Sequence, residues 1–250
     1  MIVLSSDSLP IEERLARGQQ AMKNSIPLLL QLVKRLSKLT KVYESDNADD
    51  ARHSGWQGLV LVLLVGLGNL KSFIAVHENP ELLKEYCFFS IPTDKSKKQM
   101  VDTFEVMQRA AFLSIFMFQV EVFLKNIAKA RNIDLKSSGK KPKSKGFRVI
   151  TREIIFKLFS ENQEERIHFL NMLAMIRNCL HSSGYHNESN FKISIDGKVY
   201  EFIRGEKIEF ASWVHICIFL NKLVDVLYEI VNSKPVKKIK KIEKYSFIEK

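Results

Sequence analysis

The sequence is poor in the residues that interrupt helices and has no paired cysteines. Only 10 glycines and 6 prolines are spread over 250 residues, which argues against a turn-dense all-β protein and favours long helices. Three cysteines, far apart and without a CxxC pair, indicate neither a disulfide framework nor a zinc knuckle. The N-terminal MIVLSSDSLP lacks the basic region and long apolar stretch of a secretory signal. A cytoplasmic, mainly α-helical protein is therefore expected.

Positive charge is what the sequence has in excess, and it is concentrated. The formal net charge is +11; residues 133–148 carry six basic side chains and one acidic, and residues 232–250 carry seven and two, so each segment is net +5. Such segments suit a polyanion, either nucleic acid or an anionic membrane surface, because neutralised phosphates release counterions. The alternative is that both are solvated runs that aid solubility. The lysines expected to contact nucleic acid are Lys140, Lys141, Lys143, Lys145, Lys237, Lys238, Lys240 and Lys241.

One segment is apolar enough to be considered as a membrane span. Residues 53–70, HSGWQGLVLVLLVGLGNL, contain no formally charged side chain, and a spanning helix needs about 20 mostly apolar residues. Gln57, Asn69 and four glycines interrupt this run, and Lys71 follows it. A helix buried in the protein core is therefore expected, and a membrane partner is not.

The helical patterns contain two signals for where helices begin and end. Pro27 interrupts the first pattern, which predicts separate helices over 10–24 and 26–43. Asp102 and Glu105 have the spacing of a capping box, so a long central helix is predicted to begin at Asp102.

The pattern changes from helical to alternating in NFKISIDGKVYEFI, after residue 189. Asp196-Gly197 is a preferred type I′ turn, and the alternation predicts a hairpin that pairs Phe191 with Phe202. The fold class is therefore a mainly α bundle with a β-hairpin inserted before the last helix. The predicted organisation is an N-terminal helical region over 1–95 that packs on the core, a bundle over 100–232 with a basic loop over 133–148 and the hairpin over 191–203, and a basic tail over 233–250.

A polar segment, RNCLHSSGYH from Arg177 to His186, ends an otherwise apolar helix. At 100° per residue, Arg177 and His181 lie on the same side of that helix, at the border of its core stripe. Beyond them lies a second, thinner apolar strip, which is predicted to contact another subunit. This strip consists of Ile167, Leu170 and Ala174.

These residue types can cleave RNA without a metal ion. A histidine near neutral pH can deprotonate the ribose 2′-OH or protonate the leaving 5′-oxygen, and an arginine can stabilise charge that builds on phosphorus. In this hypothesis His181 and Arg177 take these roles, Asn178 positions the RNA backbone, and the product is a 2′,3′-cyclic phosphate. In the structural alternative, Arg177 bridges Glu121 or the last helix carbonyls, Asn178 and His181 end the helix, and Gly184 makes the turn.

The segment MIRNCLHSSGYH, preceded by a long helix with FQVEVFLKNI and followed by a hairpin and an amphipathic helix, resembles the HEPN superfamily of nucleotide-binding domains. The resemblance covers about 100–232. It implies an α-helical, usually dimeric bundle with metal-independent ribonuclease activity in toxin–antitoxin, phage-defence or RNA-processing systems, and a cleft shared by the motifs of two subunits. The implied partners are RNA, a second copy of the chain and an antitoxin or defence protein; no cofactor is implied.

Carried onto this sequence, the motif residues are Arg177, Asn178 and His181, with Glu121 as a supporting acid. Three residues separate Arg177 from His181, fewer than is usual in the family, and some family members bind without cleaving. A non-catalytic nucleic-acid- or partner-binding protein is therefore the alternative function. In the structural alternative Glu121 pairs with Lys125 at i+4. A metal site is not expected, because the histidines lack a usual ligand spacing with cysteine or carboxylate neighbours.

Overall fold

The computed structural model of the protein describes residues 10–43, 50–82, 93–135, 146–195 and 197–244. These residues form seven α-helices and one two-stranded antiparallel hairpin, so the protein is mainly α-helical, as predicted. The elements in chain order are α1 (Ile11–Val42), α2 (Ala51–Glu78), α3 (Asp94–Ala130), α4 (Phe147–Leu158), α5 (Gln163–His181), β1 (Phe191–Ile195), β2 (Lys198–Phe202), α6 (Trp213–Asn232) and α7 (Lys234–Lys237).

The first helix is continuous, so the prediction of two helices divided at Pro27 is wrong. Proline removes a backbone hydrogen bond from a helix interior. Residues on both sides of Pro27 nevertheless belong to one buried face, including Met22 before it and Leu29 after it. This face packs against α2 and α6, and the packing holds both halves in one helix. Just before the proline, the Ser25 hydroxyl donates to the carbonyl of Ala21 at 2.6 Å.

Helices α2 and α3 pack closely because glycines of α2 receive aromatic rings of α3. A Cβ atom built on Gly55 would lie 2.5 Å from the ring of Phe123, and Gly66 faces the ring of Phe112 in the same way. Next to Gly55, the Trp56 ring stands edge-on to Phe123 with 5.0 Å between ring centroids. The glycines of the apolar segment therefore serve close helix packing.

The central helix begins at Asp94, two turns before the predicted start at Asp102. Thr93 caps it by accepting a hydrogen bond from the backbone N–H of Ser96 at 3.1 Å. Asp102 instead lies inside the helix and pairs with Arg14 of α1 at 3.3 Å, while Glu105 pairs with Arg109 at 2.9 Å. The prediction that the helix begins at Asp102 is therefore wrong. The two carboxylates of the supposed capping box bind arginine side chains and do not cap a helix.

Two helices among the described residues are long and apolar enough to cross a membrane by length and composition: Ala51–Glu78, and Lys98–Ala130 within α3. Core helices also meet this criterion. In the most apolar window of α3, 61% of the residues are buried, but in that of α2 only 33% are. The expectation of a buried helix thus holds for one side of α2, which contains Trp56 and Leu63, and fails for the other.

The exposed side of α2 adjoins exposed apolar residues of α3. Together they form a surface that we call the α2–α3 face, with a groove of about 200 Å³ between the helices. Its large apolar side chains are Leu61, Leu64 and Val65 of α2 and Met107, Ile115 and Phe118 of α3.

Helix α5 is packed on two sides, by α3 and by α4. The second apolar strip predicted to contact another subunit is therefore buried inside the protomer, where Ile167, Leu170 and Ala174 are at most 6% exposed. That prediction is wrong because the sequence does not show that two neighbouring helices cover α5 on both sides.

The hairpin has the predicted register, with Phe191 opposite Phe202 and Ile193 opposite Tyr200. Asp196 lies outside the described residues, and Gly197 has a φ of 76°, which suits a glycine in a type I′ turn. The hairpin buries one face against the bundle. Phe202 is the centre of that contact, with its ring 4.9 Å from Phe210 between centroids.

The basic C-terminal segment folds back on the start of α2. Val236 and Ile242 are fully buried. The backbone N–H of Ala51 donates to the carbonyl of Ile242 at 2.8 Å, and the Arg52 guanidinium donates to the carbonyl of Lys240 at 3.0 Å. Residues 234–242 are thus a docked strap, with buried apolar residues and lysines on the outside.

Candidate functional site

The polar segment after the core of α5 begins in the helix and continues into a tight turn. The helix ends at His181, Ser183 has a φ of 54°, and Gly184 has a φ of 91°. The N–H of Gly184 donates to the carbonyl of Cys179 at 2.7 Å, which closes the end of the helix. Gly184 therefore makes the turn, as the structural alternative predicted, because a left-handed conformation costs a glycine little.

His181 is exposed and lies where α5 meets α3. Its Nε2 atom is 2.7 Å from the hydroxyl of Ser114. A hydroxyl can donate or accept, so this contact suits either tautomer of the imidazole. Ser114 precedes Ile115 and lies one turn from Phe118, which places His181 at the edge of the α2–α3 face.

Arg177 and Asn178, half-buried on α5, belong to a chain of polar contacts that reaches α4. The Arg177 guanidinium donates to Asn178 Oδ1 at 3.2 Å, and Asn178 Nδ2 donates to Glu188 Oε1 at 3.1 Å. Glu188 also accepts two hydrogen bonds from Arg148, with Nη1 2.7 Å from Oε2 and Nη2 3.0 Å from Oε1. The hydrogen bonds from Arg148 hold the pKa of Glu188 below its ordinary value. We call Arg177, Asn178, Glu188 and Arg148 the outer network.

Glu121 lies on α3 and is occupied by a different partner. Its Oε1 atom is 2.7 Å from the Nζ atom of Lys125, whose side chain is only 6% exposed. A buried ammonium needs such a carboxylate, since an unpaired charge in the core is costly. The i+4 pair of the structural alternative is thus present, and among the described residues Arg177 bonds to Asn178 and makes no ion pair with Glu121.

His186, the second histidine of the segment, is buried and structural. Its Nε2 atom is 2.9 Å from the carbonyl of Ser189, which can only accept, so Nε2 carries the proton and Nδ1 faces the Cys179 sulfur at 3.7 Å. The ring stands edge-on to Phe202 at 5.3 Å. Burial raises the pKa of Cys179 to about 11, so this thiol stays protonated near neutral pH and the pair is not a thiolate nucleophile.

The lysines predicted to bind nucleic acid fall into two groups. Lys140, Lys141, Lys143 and Lys145 lie outside the described residues. In the strap, Lys237, Lys238 and Lys240 are exposed and Lys241 is half-buried. Because the strap is docked through its apolar residues and backbone, these lysines are presented from a fixed surface.

Ser114, Arg148 and Glu188 are site residues that the sequence did not identify individually. Arg148 was only one of six basic residues in a predicted loop, but it lies in the first turn of α4. Its proximity to Asn178 depends on how α4 packs beside α5, which no local pattern reveals. Among the described residues, no cluster of three or more His, Cys, Asp or Glu side chains is arranged to hold a metal ion.

No protein-family model, curated protein or solved structure matches the chain.

Proposed function

We propose that this protein is a metal-independent endoribonuclease of the HEPN type, with the end of α5 as its active site. The observation that carries the proposal is the pairing of an exposed imidazole, His181, with a half-buried guanidinium, Arg177, one helical turn apart. Asn178 accepts a hydrogen bond from Arg177, and a second arginine, Arg148, is connected to Asn178 through Glu188. An accessible acid–base group next to cationic donors is what phosphodiester cleavage requires.

In the proposed reaction the ribose 2′-oxygen attacks the adjacent phosphorus and the bond from phosphorus to the 5′-oxygen breaks. His181 takes the proton of the 2′-OH or gives a proton to the leaving 5′-oxygen, and water makes the other of these two proton transfers. Arg177 stabilises the negative charge that builds on the phosphoryl oxygens. The products are a 2′,3′-cyclic phosphate and a free 5′-hydroxyl.

The test is cleavage of labelled RNA in EDTA by wild type, His181→Ala and Arg177→Gln. We expect His181→Ala to lower the cleavage rate by about 10²- to 10⁴-fold, as is typical for loss of a general acid or base. A substrate with a 2′-deoxy nucleotide at the cleaved position should remain intact, because it lacks the nucleophile.

His168→Ala is the matched control, because His168 is another exposed histidine of α5, where it pairs with Glu164. It lies thirteen residues before His181 along the helix, roughly 20 Å away at 1.5 Å per residue. This variant should cleave as wild type does. If wild type and His181→Ala release equal amounts of cyclic phosphate, the activity belongs to a contaminant and the enzyme proposal fails.

A second candidate, a non-catalytic nucleic-acid-binding protein, is favoured by the exposed lysines of the docked strap. Neutralising each contacted phosphate contributes to affinity and to its salt dependence. Replacing Lys237, Lys238 and Lys240 by glutamine should then weaken RNA binding and reduce its salt dependence, while His181→Ala leaves binding unchanged. Substitution is preferable to truncation here, since removing the strap would uncover the buried start of α2.

We further propose that the α2–α3 face pairs with a second copy of the chain. Five of its side chains are more than half exposed: Leu61 57%, Val65 61%, Met107 60%, Ile115 55% and Phe118 60%. If each side chain exposes on the order of 100 Å², the face offers about 500 Å² of apolar surface. This area is at the upper end of the apolar patches found on monomers. It is also a large part of the roughly 800 Å² that each partner buries in an interface of standard size. A two-fold axis that passes close to the His181 edge of this face would bring the two His181 side chains together.

Light scattering after size-exclusion chromatography tests this pairing. Ile115→Asp should shift a dimeric wild type to monomer, because a carboxylate in an apolar contact is desolvated without a partner. The matched control is Ile218→Asp, since Ile218 is 49% exposed on α6, outside the α2–α3 face, and should leave the dimer intact. A monomeric wild type at micromolar concentration would rule out a second copy as the occupant of the α2–α3 face.

A further inference from the structure

The contact between Arg148 and Glu188 has the form of an arginine–phosphate contact. Two guanidinium nitrogens face two carboxylate oxygens at 2.7 and 3.0 Å. The planar fork of arginine binds carboxylate and phosphate in the same bidentate way. A phosphate with two free oxygens can therefore take the place of the Glu188 carboxylate on Arg148 without any change in the direction of the donors.

Glu188 also occupies a donor of the proposed active site. Its Oε1 atom accepts from Asn178 Nδ2 at 3.1 Å, and Asn178 in turn accepts from Arg177 at 3.2 Å. One carboxylate thus sits between donors of α4 and α5, next to the residues proposed to hold the cleaved phosphate. Its negative charge lowers the positive potential there.

The contact is solvent-reachable and exchangeable. The side chains of Arg148 and Glu188 are 38% and 40% exposed, and exposed ion pairs of this kind stabilise a protein by only about 0–1 kcal/mol. The backbone near Glu188 is held in place by the buried His186, two residues earlier, so the side chain can swing away while the loop stays fixed. RNA therefore competes with a weak internal ligand and not with a buried one.

We propose that Arg148 is a second phosphate-binding arginine of this site and that Glu188 is an internal competitor, whose carboxylate holds Arg148 and Asn178 until an RNA phosphate displaces it. This inference rests on the proposed function, because it assigns the residues that bind the RNA backbone at that same site. It adds Arg148, which lies outside the motif, to the residues that bind RNA. It also predicts that Glu188 weakens RNA binding, whereas Arg148 and Asn178 strengthen it.

The experiment measures binding of a short fluorescent 2′-O-methyl oligonucleotide, which lacks the attacking hydroxyl, by anisotropy in EDTA at several salt concentrations. We expect Arg148→Gln to weaken binding about tenfold and to reduce the slope of log K against log salt by about 1. Arg148→Lys, which keeps the charge but not the fork, should recover only part of the loss. Glu188→Gln should tighten binding about fivefold, since an amide competes less well than a carboxylate for the donors.

The pair formed by Arg166 and Glu229 supplies matched controls. It is a surface arginine–glutamate contact at 2.8 Å that joins α5 to α6. Arg166→Gln and Glu229→Gln change the net charge by the same amounts, so each should alter binding less than twofold. In the Arg148→Gln background, the gain from Glu188→Gln should shrink below twofold, because the main donor that Glu188 blocks is then absent.

Equal effects of Glu188→Gln and Glu229→Gln would overturn the inference, since they would reflect net charge alone. A full fivefold gain from Glu188→Gln in the Arg148→Gln background would overturn it too, because Glu188 would then act elsewhere. The outcome is separate from that of the enzyme proposal, since no variant can cut this oligonucleotide. If wild type does not cleave RNA, the ribonuclease proposal is wrong. The binding measurements would then still test the roles proposed for Arg148 and Glu188.

Discussion

Two arginine–carboxylate pairs in this protein have the same chemistry and opposite settings. Asp50 and Arg52 fix the strap to the start of α2, with side chains only 4% and 8% exposed, and Arg52 Nη2 lies 2.6 Å from Asp50 Oδ2. Glu188 and Arg148 lie in the outer network with about two-fifths of each side chain exposed. Burial decides what each pair can do: the first is a fixed structural connection, and the second is open to exchange with a ligand.

The buried pair is also more completely satisfied. Asp50 accepts from the backbone N–H and the side chain of Arg52 and from the N–H of Ile242, and Arg52 donates to the carbonyl of Lys240 and lies over the ring of Tyr43 at 5.2 Å. These bonds offset the cost of removing two charges from water. The exposed pair pays little desolvation, and for that reason its loss changes stability little.

The largest expected effect that separates the two pairs is on stability. Asp50→Asn should lower the free energy of unfolding by about 3–5 kcal/mol, because it leaves the buried Arg52 guanidinium without a counter-charge. The strap should also loosen, so trypsin should cut at Lys237 to Lys241 faster than in wild type. Urea unfolding and timed proteolysis measure both, with Glu188→Gln as the control. If Asp50→Asn unfolds at the same urea concentration as wild type, the pair of Asp50 and Arg52 has no structural role.

An intermediate effect is expected from acidification. Burial raises the pKa of Asp50, but the hydrogen bonds from Arg52 outweigh it and hold the pKa below its ordinary value of 3.8. Since the folded pKa is the lower one, this carboxylate stabilises the fold above pH 3.8, and the contribution is lost as pH falls through the folded pKa. The stabilities of wild type and Asp50→Asn should therefore converge at low pH. A gap that stays constant from pH 6 to pH 2 would contradict this.

The smallest expected effect is that of breaking the exposed pair. Arg148→Gln and Glu188→Gln should each change the free energy of unfolding by less than about 1 kcal/mol, because water replaces the lost contact. Urea unfolding of the two variants at pH 7 measures this. A loss of stability comparable to that of Asp50→Asn would show that the outer network is a structural connection like the buried pair. The proposed exchange of Glu188 for an RNA phosphate would then have no basis.

Much of the fold was readable from local pattern. The hairpin register follows from alternation about a two-residue turn, and the amphipathic helix expected after the hairpin is present as α6. The errors arose where tertiary contacts outweigh local preference. Pro27 remains inside a helix because both flanks are packed, and Asp102 pairs with another helix in place of capping its own.

The candidate site was predictable only in part. The i+4 spacing placed Arg177 and His181 on one side of α5, as helix geometry requires. Sequence did not predict that His186 is buried, because its burial depends on the hairpin residue Phe202 that packs on its ring. For Glu121 the sequence offered two interpretations, a supporting acid of the motif and an i+4 partner of Lys125, and the structure shows the pair with Lys125.

The sequence by itself determined the helical class, the hairpin, the excess of positive charge and the residue types at the end of α5, because these depend on composition and on periods of two or a few residues. Only the tertiary structure decided which side of α2 remains exposed, where the basic strap docks, and that Glu188 lies between Arg148 and Asn178. Those outcomes depend on contacts between residues far apart in the chain, whose partners are selected by the packing of the whole core and not by any local pattern.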